Sequence, residues 1–328
     1  MIGPEVTRME TTDGLRELPS PTAVSLAAQV ARTLGASVEA VLHYGSRAQG
    51  RASRPDSAFD FFVVVTDYKA AYRAAATTAG PRRRPRLAVV LAKLLPPNAM
   101  SIRRDGPTGG EEAKCLIISD RDFRHECSAR ASDHFVQARM AQTVRLAWAR
   151  DAASADAILD MIRQARHRSL DWVLIFLPPS FDLMQFCSTM IGVSFAHEIR
   201  AEAAAHAEVL TTAQRDLLCA IYSPVLDAAA ACGALERQGD RYRQQRPPSR
   251  WRQLRVRTYF RWSKVRTTLR LIKHPFLYDN WLEYLMQKID RSTGQKITLT
   301  SRERRHPLIF LWPRVFRYLR TRPQRGPS

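Results

Sequence analysis

Residues 43–65 of the chain read HYGSRAQGRASRPDSAFDFFVVV, and three of them are placed to do chemistry: Gly45, Ser46 and Asp60. Glycine carries no side chain, so the backbone at 45 can approach another group closely. Asp60 stands between Phe59 and Phe61 in an aromatic and β-branched run that reads as a largely buried strand. Burying an unpaired carboxylate is costly, so Asp60 demands a partner. Two partners are open: a metal ion, or an ion pair with a nearby arginine. Gly-Ser before a polar loop is often no more than a turn. Gly-Ser between two apolar strands, with an aspartate entering the second, is a more specific arrangement.

That arrangement resembles the DNA polymerase β-type nucleotidyltransferase pattern. The resemblance implies that the glycine admits a triphosphate close to the backbone. It also implies that the serine hydroxyl and backbone N–H groups bind phosphate oxygens, and that carboxylates on the second strand hold Mg²⁺. The pattern has two acids separated by one residue, and here Ala58 occupies the first place. Asp56, four residues before Asp60, can reach the site from the loop, while Asp67 lies beyond the strand. No third carboxylate is visible on a later strand, where residues 113–119 offer Lys114, with Glu111 and Glu112 just outside. On the generic pattern alone, a degenerate, inactive domain stays open.

The elements that must position these residues are legible around them. Residues 20–36 open on Ser20-Pro21 and close near Gly35, which predicts a helix. Residues 37–43 and 57–65 predict the two strands of the motif, followed by helical pattern at 68–78 and 86–95. The arginine run 82–86 reads as an exposed loop. Strands are expected at 99–104 and 113–119, joined by a turn over Gly106–Gly110. From about 120 the period is mostly helical, over 121–148, 153–177, 182–208 and 211–235. Residues 236–250 read as a polar linker ending in Pro247-Pro248, and the chain then turns basic and aromatic. The fold class expected is α+β, with an α/β domain over 1–150, a helical domain over 151–240 and a basic region over 241–328.

Charge supports that division. Of the net +20, residues 241–328 hold 23 Lys/Arg against 4 Asp/Glu, while residues 1–240 are near neutral. Four of the six tryptophans, at 251, 262, 281 and 312, lie in the same basic region, which a merely solvating tail does not need. Basic charge with interleaved aromatics points to a polyanionic partner, either an anionic membrane or nucleic acid. No stretch approaches the ~18 apolar residues of a membrane-spanning helix. Five cysteines without a C-x-x-C pair argue against a disulfide framework or a structural zinc site. The acidic residues of the N-terminus fit neither a secretory signal nor a transit peptide.

The departures from the generic pattern resemble one family, the mitochondrial-type phosphatidate cytidylyltransferases, peripheral CDP-diacylglycerol synthases. The resemblance is carried in order by Tyr44-Gly45-Ser46, the single aspartate of Ala58-Phe59-Asp60-Phe61, Lys114–Ser119, Ala138-Arg139-Met140, Leu177–Phe181, and Gly192–Phe195 with Glu198 and Arg200. These blocks run over about 40–235, and the tail is similar only in character. The resemblance implies that CTP and phosphatidic acid, with Mg²⁺, give CDP-diacylglycerol and pyrophosphate. It further implies a polymerase β-type domain, a winged-helix-like helical domain and a membrane-contacting C-terminal element.

As roles implied by this resemblance, Tyr44, Gly45 and Ser46 cradle the nucleotide, Asp60 with Asp56 binds the metal, and Lys114 neutralises a phosphate. Arg139 and Arg200 hold phosphate through their planar forks. For Lys114 an exposed strand-edge lysine is the alternative, for each arginine a helix-surface arginine. His43 either touches the nucleotide or is a hydrogen-bonded structural residue. Two rival functions stay open: a nucleotidyltransferase with an RNA, protein or small-molecule acceptor, and a non-catalytic nucleic-acid or membrane binding module. Nucleic acid is the less favoured partner. Alanine- and arginine-rich usage suggests a bacterium, and hence a peripheral protein on the cytoplasmic face of the inner membrane.

Overall fold

The computed structural model describes residues 13–51, 57–79, 85–106, 109–196 and 203–277, and the chain divides into compact units at 1–273 and 274–328. In the first unit, helix α1 (Pro21–Leu34) starts where Ser20 Oγ accepts from the Ala23 N–H and stops at Gly35, whose φ is 75°. A central mixed sheet follows. β1 (Val38–Tyr44) pairs antiparallel with β2 (Phe59–Val65), and β2 runs parallel to β4 (Gly109–Ser119). β3 (Asn98–Gly106) and β4 form a hairpin, as the turn signal predicts. Helices α2 (Tyr68–Ala79) and α3 (Pro85–Leu94) connect β2 to β3. Only Pro85 and Arg86 of the arginine run are described, and they begin α3 rather than a loop.

One strand departs from expectation. The pattern over 121–148 predicts helix, but helix is confined to α4 (Asp120–Cys127) and α5 (Gln137–Met140), and β5 (Val144–Ala149) pairs with β1. The sheet order is β3-β4-β2-β1-β5. Alanines at 147 and 149 blur the alternation of β5. Val144 and Leu146 nevertheless face the same core as Leu42, Phe62 and Ile118, and that burial with the β1 pairing decides the conformation. This first core is closed by Phe123 of α4, Met140 of α5 and the apolar face of α6 (Ala152–His167).

A second core gathers α7 (Leu170–Val173), β6 (Ser180–Asp182), α8 (Leu183–Ala196), α9 (Ala203–Ala213) and α10 (Arg215–Ala231). The segment expected to be a linker is instead a hairpin of β7 (Leu235–Gln238) and β8 (Arg241–Gln244), with β6 on its other side in the order β6-β8-β7. The strands are four residues long with one buried residue apiece, Leu235 and Tyr242, too little for periodicity to register. The sheet therefore crosses the 240/241 boundary that charge suggests. Next comes α11 (Arg250–Leu277), which buries Phe260, Ser263, Thr267, Arg270 and Lys273 along one face. The two cores are pinned together at residues 140–143. Arg166, 2% exposed, donates to the carbonyls of Met140 and Gln142, Tyr222 donates to Ala141 O, and Gln214 accepts from Thr143.

Candidate functional site

β1 ends by delivering Tyr44 opposite Asp60 of β2, and Asp60 is in register with Lys114 of β4. Strand alternation then puts Tyr44, Asp60 and Lys114 on one face of the sheet, at the end where the Gly-Ser turn begins. Gly45 has φ +82°, a left-handed conformation suited to glycine. A Cβ at this position would lie 2.6 Å from Asp60 Oδ2 and 3.2 Å from Asp60 Cβ. The carboxylate is thus seated against the backbone of the turn, where a Cβ at position 45 would force it to shift. Ser46 is exposed, and the turn is closed by Gln49 N–H to Gly45 O (3.1 Å) and Arg51 N–H to Ser46 O (2.8 Å). Arg47 stays with the turn, its Nε donating to Ser57 O at 2.6 Å and its guanidinium 4.2 Å from the Phe59 ring centroid.

Lys114 lies on an interior strand and is half-buried, which sets aside the strand-edge alternative. The Tyr44 ring leans on Phe62, 5.1 Å between centroids, as part of the first core. Arg139 is half-buried as well. Its Nη1 donates to Phe135 O at 2.7 Å and its guanidinium lies 3.7 Å from the Phe135 ring centroid, so it is no solvent-facing helix arginine. The segment after it reaches the turn, where Gln49 Nε2 donates to Gln142 Oε1 at 3.5 Å. Asp56 and Arg200 lie outside the described residues, as do Glu198, Trp281 and Trp312.

His43 belongs to the opposite face of the sheet from Asp60. It is 2% exposed, lies 5.8 and 5.4 Å from the Phe59 and Phe61 rings, and finds no hydrogen-bond partner for either nitrogen among the described residues. Burial, then the charges of Arg145 and Arg47, push its pKa down to about 4. The imidazole is neutral at pH 7 and is part of the packing, without the hydrogen bonds expected of a structural histidine.

Among the described residues, no group of three or more His, Cys, Asp or Glu side chains is arranged to hold a metal ion. Mg²⁺ commonly takes only one or two protein carboxylates together with substrate phosphates. One carboxylate beside a backbone turn suits a cation that arrives with a triphosphate and does not suit an all-protein cage.

Sequence reasoning missed the most deeply buried charges. Asp133, fully buried, accepts from Arg266 Nε (2.7 Å) and from both terminal nitrogens of Arg270 (3.1 and 2.7 Å). Lys273 donates to Pro97 O (2.7 Å), to Asn98 Oδ1 (2.8 Å) and to Leu95 O. Burial, with Arg270 and Arg266 nearby, pushes its pKa down to about 6. Glu126, 1% exposed, has its pKa raised to about 7 by burial and by Asp133. The signal was present in the helical spacing of Phe260, Ser263, Thr267, Arg270 and Lys273, a face hidden among the many arginines of the basic region.

No family model matches the sequence, and no curated protein matches it. One solved structure to which the chain is similar is a nucleotidyltransferase-like protein from Exiguobacterium sibiricum 255-15. It shares 9% identity at a TM-score of 0.21, over 92% of this chain and 96% of that chain. So slight a likeness reaches neither activity nor substrate, and the functional reading rests on this chain's own residues.

Proposed function

We propose that the chain is a nucleotidyltransferase, and that it transfers the cytidylyl group of CTP to phosphatidate with Mg²⁺, releasing pyrophosphate. The observation that carries the reading is the Asp60 carboxylate seated against the left-handed backbone of Gly45. A triphosphate lying along the Gly45–Ser46 turn would have its metal-binding carboxylate beside it. When bound, Mg²⁺ would neutralise phosphate charge and favour departure of pyrophosphate.

The chain's own residues have simpler tasks. Ser46 offers an exposed hydroxyl to a phosphate oxygen, and Lys114 brings positive charge to the same face of the sheet as Asp60. Arg139 offers a planar fork for a phosphate. A phosphate-monoester acceptor also suits this set. Such a group is already ionised at neutral pH, with a second pKa of about 6. Attack by its oxygen on the α-phosphorus needs no base, whereas a hydroxyl acceptor has a proton to lose. His43 is packed on the other face, so it is not available as that base.

The lipid side of the reading rests on α11. Trp251, Leu254, Trp262, Val265 and Leu269 recur at helical spacing and are exposed, the tryptophans by 75% and 53%. Exposed Arg250, Arg255, Arg257, Arg261 and Lys264 flank them. An apolar stripe edged with cations suits an anionic bilayer surface, each Lys or Arg contributing about 1 kcal/mol. In the second core, the order strand, helices, hairpin over 180–244, with the first strand beside the last, also suits the winged-helix-like domain. A peripheral place on the cytoplasmic face of a bacterial inner membrane belongs to the same proposal. No helix among the described residues is long and apolar enough to cross a membrane. The test is pyrophosphate release from Mg·CTP with phosphatidate vesicles, with RNA, and with neither. Release that follows phosphatidate supports the reading, and release that follows RNA transfers it to the RNA-acceptor alternative.

A further inference from the structure

Arg139 does not stand by itself. Its guanidinium and Nη1 both rest on Phe135, through the ring and the main-chain carbonyl. Phe135 is in turn fixed from two sides. Its N–H donates to Asp133 Oδ1 at 3.0 Å, and its ring takes a second guanidinium, that of Arg270, 4.7 Å from the centroid. Arg270 is 3% exposed and held by Asp133 and by Pro96 O, to which its Nε donates at 2.8 Å. A chain of contacts therefore runs from the basic helix α11 through Arg270 and Asp133 to Phe135 and Arg139. The segment that follows Arg139 meets the Gly45–Gly50 turn through Gln142 and Gln49.

We infer that Phe135 and Arg270 are positioning residues for Arg139, so that the seating of α11 sets how well the site holds the polyphosphate of its nucleotide. The inference rests on the proposed nucleotide role of Arg139. An arginine is long and rotamer-rich, and a cation over an aromatic face within ~6 Å removes much of that freedom before ligand arrives. Neither Phe135 nor Arg270 needs to touch the nucleotide.

The experiment is calorimetric titration of the full chain with Mg·CTP, with a thermal melt of every variant. Phe135→Leu keeps apolar bulk but removes the ring face, and its affinity is expected to fall about three- to tenfold. Phe135→Tyr keeps the face and restores binding. Arg270→Lys keeps the charge facing Asp133 but loses the planar fork, and is expected to weaken binding to a similar degree. Arg139→Ala weakens it at least as much, and Phe135→Leu combined with Arg139→Ala is no worse than Arg139→Ala by itself. In turnover the Phe135→Leu loss appears in KM, with kcat little changed. If Arg139→Ala weakens binding while folded Phe135→Leu and Arg270→Lys bind as wild type, or if the losses simply add, the positioning role is wrong. If Arg139→Ala binds as wild type, the nucleotide role of Arg139 fails first and takes the inference with it.

Discussion

Replacing Gly45 by alanine separates a turn that merely bends from one shaped around Asp60. The new Cβ would stand 2.6 Å from Asp60 Oδ2 and 3.2 Å from Asp60 Cβ, where ordinary contact begins at 3.4 Å. Two penalties follow. Holding an L-residue at φ +82° costs about 1–2 kcal/mol. Relieving the contact also requires the carboxylate to rotate away or the turn to lift by close to an ångström. Misplacement on that scale costs on the order of 10²-fold in rate. Gly50→Ala supplies the control, because Gly50 has φ +68° but nothing within 4 Å of its added Cβ. Both variants carry the backbone strain, and both should melt a few degrees lower, at roughly 2–4 °C per kcal/mol for a chain of this size. Only Gly45→Ala should lose pyrophosphate release from Mg·CTP, by about 10²-fold, with Gly50→Ala within about threefold of wild type. Equal activity in the two variants would refute the claim that Asp60 works against the turn.

Other outcomes follow from the same geometry. Asp60→Asn preserves size and hydrogen bonding but removes the charge that a cation needs, so turnover should fall by at least about 10³-fold in the pyrophosphate assay. A chain ending at 277 should keep its cooperative melt, whereas one ending at 245 should lose it, because Phe260, Ser263, Arg270 and Lys273 are buried against the rest. Vesicle binding carried by α11 should persist in the 277 truncation and weaken with salt, as co-sedimentation at low and high ionic strength will read. The raised pKa of Glu126, about 7, means that its contribution to stability is fully present below its unfolded value of 4.5 and is lost as pH rises through 7. Between pH 5 and pH 8, wild type should therefore lose about 2 kcal/mol relative to Glu126→Gln in denaturant melts. Lys273 titrates in both proteins and cancels from the comparison, so a constant difference across that range contradicts the assignment.

The sequence was most readable where one pattern settled the structure. β1, β2 and the β3–β4 hairpin are apolar or alternating runs punctuated by glycine, and they fold where that pattern places them. The Gly-Ser turn and the buried strand carrying Asp60 were legible too, but the close approach of Gly45 to Asp60 was not, because the pattern pairs the glycine with a triphosphate and the carboxylate with a metal ion or an arginine. β5 was not, since Ala147 and Ala149 carry no period of their own and the strand depends on pairing with β1. The β7–β8 hairpin was hidden for the opposite reason. Glu236, Arg237, Gln238 and Arg243 look like solvated linker, and two buried side chains, Leu235 and Tyr242, hold the hairpin to its core. In α11 the charge count concealed a sorting of arginines. Arg270 is buried on Asp133, while Arg255 and Arg261 remain exposed, and composition makes no distinction between them.

The proposed role of Asp60, seated on the Gly45 turn, is nucleotidyl transfer to a lipid phosphate. It is tested most directly by incubating wild type and Asp60→Asn with Mg²⁺, phosphatidate vesicles and CTP labelled at the α-phosphate, then extracting the lipid. Wild type should put label in the organic phase and an equal amount of pyrophosphate in the aqueous phase, and Asp60→Asn should give neither. Pyrophosphate release without labelled lipid, or labelled lipid formed equally by both proteins, would contradict that role.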